Sequence, residues 1–248
     1  MVSASVQTRG LSSRRSAFVN AVAATAFLIG GSLFALGAAL AQAGVTPTAC
    51  ASIYLIGGVF FSTGGYASVL QVVNEPSSTD ATPVRWRWWS REPRRLQWLS
   101  AVVLFAGTIV FAINLVDSFI QELTPAAFDR LVWSPDMVGC ALFLISGHLA
   151  MAGIAGGFWR IWHRRDLGWW IIAVNQLGSV LFMVSAVASF VRPSSSDMLA
   201  TGIANWGTLT GALCFAIAGL MQEFEHPLGP RRRREVSASS DGGRKPDA

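Results

Sequence analysis

Residues Trp98–Gln121 read WLSAVVLFAGTIVFAINLVDSFIQ, and residues Trp169–Val191 read WWIIAVNQLGSVLFMVSAVASFV. Laid on each other without a gap, Trp98, Gly107, Phe111 and Phe119 meet Trp169, Gly178, Phe182 and Phe190. Each stretch is long enough to cross a ~30 Å hydrocarbon core, which takes roughly 20 helical residues. Each follows a pair of arginines, Arg94-Arg95 and Arg164-Arg165. A helix of a soluble bundle would keep a polar face, and these segments are apolar all round.

Four further stretches have the same character: Phe18–Gln42, Ala51–Val73, Met137–Phe158 and Leu199–Met221. All six carry a glycine one helical turn before a phenylalanine, as Gly30/Phe34, Gly57/Phe61, Gly107/Phe111, Gly139/Phe143, Gly178/Phe182 and Gly211/Phe215. The even-numbered stretches extend the pattern to a second glycine, Gly65, Gly147 and Gly219. The spacing predicts an all-α integral membrane bundle of six transmembrane helices, built as three repeated hairpins at 18–73, 98–158 and 169–221. Apolar helices gain little by associating in lipid, so close packing holds them, and glycine lets backbones approach. Gly57, Gly65, Gly139, Gly147, Gly211 and Gly219 are therefore the expected packing positions, with each phenylalanine filling the space beside a contact.

Composition agrees. Of 248 residues, 52% are hydrophobic and 13% charged, about half the charge of a soluble domain. The net charge of +5 admits a nucleic-acid partner only until the arginines are mapped. Of the 19 lysines and arginines, 17 fall before the first stretch, between the second and third, between the fourth and fifth, or after the sixth. Only Arg130 and Arg192 lie in the other loops. Positive loops stay cytoplasmic, so both termini are expected inside a bacterial plasma membrane, with outer loops at Val45–Ala49, Leu123–Pro135 and Arg192–Asp197. The basic residues answer to anionic headgroups, and no nucleic-acid partner is expected.

Cys50, Cys140 and Cys214 show no metal or redox spacing and read as small apolar packing residues. Ser13-Arg14-Arg15 before an apolar run has the look of an export signal, with Ala41-Gln42-Ala43 as its cleavage site. The run is longer than the usual 7–15 residues of such a signal and carries the shared Gly30/Phe34 pair, so it is read as a retained helix.

The core Gly31-Ser32-Leu33-Phe34 and its counterpart Gly178-Ser179-Val180-Leu181-Phe182 resemble the two-helix membrane domains of the YrhK-like family of bacteria. Arg85-Trp86-Arg87-Trp88-Trp89 with Glu92-Pro93-Arg94-Arg95 looks like the linker of larger membrane proteins of that type. The likeness covers most of residues 15–221. It implies architecture only, since the family lends no activity.

Eight of the ten tryptophans border the arginine-bearing segments: Trp86, Trp88, Trp89, Trp98, Trp159, Trp162, Trp169 and Trp170. Tryptophan sits at the headgroup level and arginine pairs with phosphate there. Arg85, Arg87, Arg94, Arg95, Arg164 and Arg165 are the expected anionic-lipid contacts. Segment 1–17 is expected on the cytoplasmic side, as are the linkers 74–97 and 159–168. Residues 222–248, ending in Ser, Gly, Lys and Pro, read as a disordered basic tail.

Chemistry in a membrane is sought at polar residues inside spans. Here they are Asn114, Asp117, His148, Asn175, Gln176 and Asn205. Asp117 is close enough to its helix end to reach water. His148 and the Asn175-Gln176 pair come at similar depth, so a polar site of His148, Asn175, Gln176 and Asn114 is geometrically possible. A symmetric pore would reuse its lining, yet Tyr66 and Leu220 stand where the other hairpins match His148. No zinc or nucleophile-elbow motif occurs, and no catalytic residue, metal or cofactor is expected. The expected function is a non-enzymatic structural, interaction or lipid-contacting module, compatible with a protein partner or a homo-oligomer. The alternative is a small-solute or ion transporter centred on His148.

Overall fold

The computed structural model describes residues 2–75, 86–120, 123–155 and 166–225, with side chains from residue 14 onward and Ala155 excepted. Among the described residues seven α-helices form: α1 Val2–Gln42, α2 Pro47–Val73, α3 Leu96–Asp117, the single turn α4 Pro125–Phe128, α5 Ser134–Ala155, α6 Leu167–Ala188 and α7 Thr201–Glu223. A π-helical turn, Asp129–Trp133, joins α4 to α5. Among the described residues the one β feature is an isolated bridge between Val191 and Met198. Six helical stretches are long and apolar enough to cross a membrane, as the segments predict.

Helix ends follow local chemistry. Gly44 takes φ +79, open to glycine at little steric cost, and closes α1 with Val45 N–H donating to Leu40 O at 3.0 Å. Pro47 then starts α2 at its first turn, where a missing N–H costs nothing. Asp166 caps α6 by accepting from Trp169 N–H at 2.9 Å.

The outer loop expected at Leu123–Pro135 is instead mostly helical, and this corrects the sequence reading. Thr124 Oγ1 accepts from Ala127 N–H at 3.3 Å and starts α4. Pro135 has no N–H to return to the carbonyl one turn earlier. The preceding turn widens, and Ser134 bonds back to Asp129 O through both its N–H and its hydroxyl, the latter at 2.7 Å. The helix thus runs through the proline by a π turn rather than stopping at it. α3 correspondingly ends at Asp117, short of Gln121.

The six long helices form a closed ring. Each packs against its neighbours in the order α1, α2, α3, α5, α6, α7, and α7 closes on α1. The turns at one end of the ring join α1 to α2, α3 to α5 and α6 to α7; we call this the turn end. The opposite, linker end carries residues 86–95, the start of α6 and the end of α7. The ring's outer face is apolar: Ile109, Ile113, Ile145, Leu177, Trp206 and Ile217 are each 45% exposed or more. Such a surface suits lipid, not water.

Candidate functional site

The centre of the ring is filled by phenylalanine. Phe34, Phe61, Phe111, Phe143, Phe182 and Phe215, one from each long helix, share one core cluster and are each 8% exposed or less. The rings from α1, α3 and α6 form a triangle, with centroids 5.5 Å apart for Phe34–Phe111, 6.2 Å for Phe34–Phe182 and 6.1 Å for Phe111–Phe182. Beneath it Phe215 of α7 lies 5.3 Å from Phe61 and 6.2 Å from Phe143. Vertical pairs join the layers: Phe34–Phe61 at 5.3 Å, Phe111–Phe143 at 5.9 Å and Phe182–Phe215 at 5.2 Å. All fall within the 4.5–7 Å range that aromatic pairs prefer.

The glycines explain how six rings fit. Each phenylalanine lies over the glycine of the other helix in its pair, not over its own. A Cβ at Gly30 would stand 2.7 Å from Phe61, and one at Gly57 would stand 3.0 Å from Phe34. Gly107 and Gly139 meet Phe143 and Phe111 at 2.9 and 3.2 Å; Gly178 and Gly211 meet Phe215 and Phe182 at 3.1 and 2.5 Å. The exchange is reciprocal in every pair, which the sequence reading did not anticipate. Backbones touch at the same level, since a Cβ at Gly178 would also lie 2.9 Å from Gly211 O.

The second glycines face the next pair round the ring. Gly65 approaches Phe105 and Thr108 of α3, Gly147 approaches Gln176 of α6, and Gly219 approaches Leu28 and Ala24 of α1. Leu28, Phe105 and Gln176 each stand two residues before the glycine of their helix's Gly–Phe pair, Gly30, Gly107 and Gly178.

Polar groups tie the same helices. Ser100 and Ser146 each donate to the other's carbonyl at 2.9 Å, clasping α3 to α5. Ser185 donates to Ala204 O at 2.6 Å and lies 2.7 Å from the Thr208 hydroxyl, joining α6 to α7.

The candidate polar residues differ in burial. His148 is exposed on the outer face of α5, as is Leu220 at the corresponding step of α7. Gln176 meets α5 one residue away, over Gly147, where its Nε2 donates to Leu144 O at 3.3 Å. Its Oε1 is buried without a hydrogen-bond partner among the described residues. Asn175 is half-buried, and its carbonyl accepts from Ser179. Asn114 is buried on α3, and Asp117 ends that helix.

Sequence reasoning passed over Asp136. It stands three residues before Gly139, as Tyr54 and Thr208 stand before Gly57 and Gly211. That register was the available signal; taking Leu123–Pro135 for a loop hid it. Asp136 Oδ1 lies 3.8 Å from Cys140 Sγ.

At the linker end, residues 86–95 are held by specific bonds. Asn74 and Arg87 exchange two at 2.8 Å, and Tyr66 donates to Trp88 O at 3.2 Å. Trp98 donates to Ser90 O at 3.0 Å. Arg95 donates to Val72 O at 2.9 Å and pairs with Glu75 and Glu92. Of the arginines expected at headgroups, Arg87 and Arg94 are exposed and Arg95 is half-buried in its ion pairs; Arg85, Arg164 and Arg165 lie outside the described residues. So do most of linker 159–168 and the tail from 226.

Glu225, just past α7, is part-buried beside Gly168 and Asp166. Burial first, and the Asp166 carboxylate second, raise its carboxyl above the ordinary range.

No protein family, curated protein or solved structure matches the chain.

Proposed function

We propose that the chain is a non-enzymatic structural, interaction or lipid-contacting module of a bacterial plasma membrane, with both termini cytoplasmic. The observation that carries this reading is the phenylalanine cluster. A solute path along the ring axis would have to pass six buried rings within aromatic contact of one another. The exposure of His148 on the outer face of α5 also removes the transporter reading's preferred residue from that axis.

The proposal includes a threefold repeat of one hairpin about an axis along the membrane normal, of the YrhK-like kind. The reciprocal glycine–phenylalanine exchange, repeated in all three pairs, supports it. So does the linker end, where two matched positions meet in each of the three pairs. Asn20 bonds Gln71 at 2.7 Å, Gln97 reaches Gly153 O at 3.5 Å, and Glu225 would meet a Cβ at Gly168 at 2.8 Å.

The test is reconstitution of the full chain into liposomes containing a pH-sensitive dye, with a C-terminal reporter scored in cells. The reading expects proton and glycerol permeability equal to that of empty vesicles and a reporter active in the cytoplasm. A flux that His148→Leu abolishes would replace it with the transporter. A reporter active only in the periplasm would reverse the topology.

A further inference from the structure

The three mouths at the linker end are filled differently. Between α1 and α2, Gln71 spans to Asn20, whose Oδ1 also accepts from Gln222 at 3.1 Å. Between α6 and α7, Glu225 covers Gly168. Between α3 and α5 the position matching Gln71 is Gly153, which has no side chain to place there. Gln97 reaches only its carbonyl, and a groove of about 990 Å³ opens beside them.

The groove is lined by Arg91, Glu92, Arg94, Arg95 and Gln97 on one side and by Ala152 and Gly153 on the other. Its charge is uneven in a useful way. Arg95 is already held by Glu75 and Glu92. Arg91 and Arg94 are exposed and make no ion pair among the described residues. The first turn of α3 also opens here, adding the partial positive charge of a helix N-terminus. Exposed Trp88 and Trp89 on the same linker mark the level at which tryptophan meets headgroups. An anion with an apolar tail lying along the α5 surface would complement all of these at once. Ile154, 43% exposed on the last turn of α5, offers that surface.

We infer that the groove between the start of α3 and the end of α5 seats the phosphate of an anionic phospholipid, held by Arg91 and Arg94. The inference rests on the reading above that the linker end lies at a membrane surface.

The test uses the purified full chain in neutral detergent, titrated with phosphatidylglycerol or phosphatidylcholine and read by native mass spectrometry. The wild type should retain phosphatidylglycerol preferentially. Arg91→Gln and Arg94→Gln should each weaken that retention roughly fivefold, the effect of one arginine near an anionic surface. Gly153→Gln should weaken it while leaving every charge in place. A Cβ at Gly153 meets nothing closer than 3.5 Å, so the variant has room to fold. Arg130→Gln, exposed at the turn end and outside the groove, should change nothing.

If Arg130→Gln costs as much as the groove variants, or Gly153→Gln costs nothing, the groove is not the seat. A retained lipid preference would then leave the broader lipid-contacting reading intact. Displacement by glycerol 3-phosphate at equal concentration would replace the lipid with a soluble phosphate ester. A wild type that does not distinguish the two lipids would overturn both this inference and anionic-lipid contact itself.

Discussion

Adding one methyl group to Gly219 should loosen the seam that closes the ring. A Cβ there would lie 2.7 Å from Leu28 N and 2.9 Å from Ala24 O, both backbone atoms of α1. The shorter distance falls about 0.7 Å below the 3.4 Å at which ordinary van der Waals contact begins. Backbone inside a helix cannot rotate aside as a side chain can, so α1 and α7 must separate. A gap of 0.5–1 Å forfeits roughly a quarter to a half of the ~0.1–0.2 kcal/mol carried by each heavy-atom pair. Over the roughly 40 pairs that even one buried leucine makes, the loss comes to about 1–4 kcal/mol, which spans the ~1–3 kcal/mol usual for overpacking. Gly31→Ala attacks the same seam from α1, where the added carbon would lie 2.6 Å from Ala216 N.

The control is Gly202→Ala in the first turn of α7, where a Cβ meets nothing within 4 Å. Alanine there restricts the unfolded chain and should stabilise by about 0.4–1 kcal/mol. The assay is reversible unfolding of all three variants in mixed detergent micelles, followed by tryptophan fluorescence. If Gly219→Ala and Gly31→Ala unfold no more easily than Gly202→Ala, close backbone packing is not what closes the ring.

Phe34→Ala should cost about 3–5 kcal/mol, because it empties a site bordered by three other phenylalanines of the central cluster; Phe119→Ala, at an exposed position, should fall within about 0.5 kcal/mol of wild type in the same titration. Ser146→Ala should cost around 0.6 kcal/mol, the average for a hydrogen bond inside a membrane protein. Adding Ser100→Ala should cost less than a second such step, since both hydroxyls serve one clasp. Glu225 carries a raised carboxyl, so the folded chain holds its proton more tightly than the unfolded chain does. Its stabilising effect is therefore full below the ordinary carboxylate pKa and is lost as pH rises through the raised one. Melting temperatures across pH 4–8 should decline less in Glu225→Gln than in wild type; equal declines would refute the assignment.

The helices and their glycines were legible because both follow from short-range rules. Apolar length set the six stretches, and a four-residue step put Gly57 and Phe61, or Gly139 and Phe143, on one face. What each phenylalanine covers was not legible. Phe61 belongs by sequence beside Gly57, yet it lies over Gly30 of the partner helix, a choice fixed only when two helices cross. Which way the polar candidates face was not legible for a related reason. His148 and Gln176 share a depth, but depth leaves rotation about the helix axis free. Gly147 must face α6 for the backbones to close, and its neighbour His148 is thereby turned toward the outer surface. The same geometry makes the linker end unequal. Gln71 near the end of α2, Gly153 near the end of α5 and Glu225 just past α7 stand at the same spacing from Gly57, Gly139 and Gly211, and their differences change what each mouth holds. Variation that packing tolerates in this way is where a chain with a closed centre has room to acquire a specific ligand.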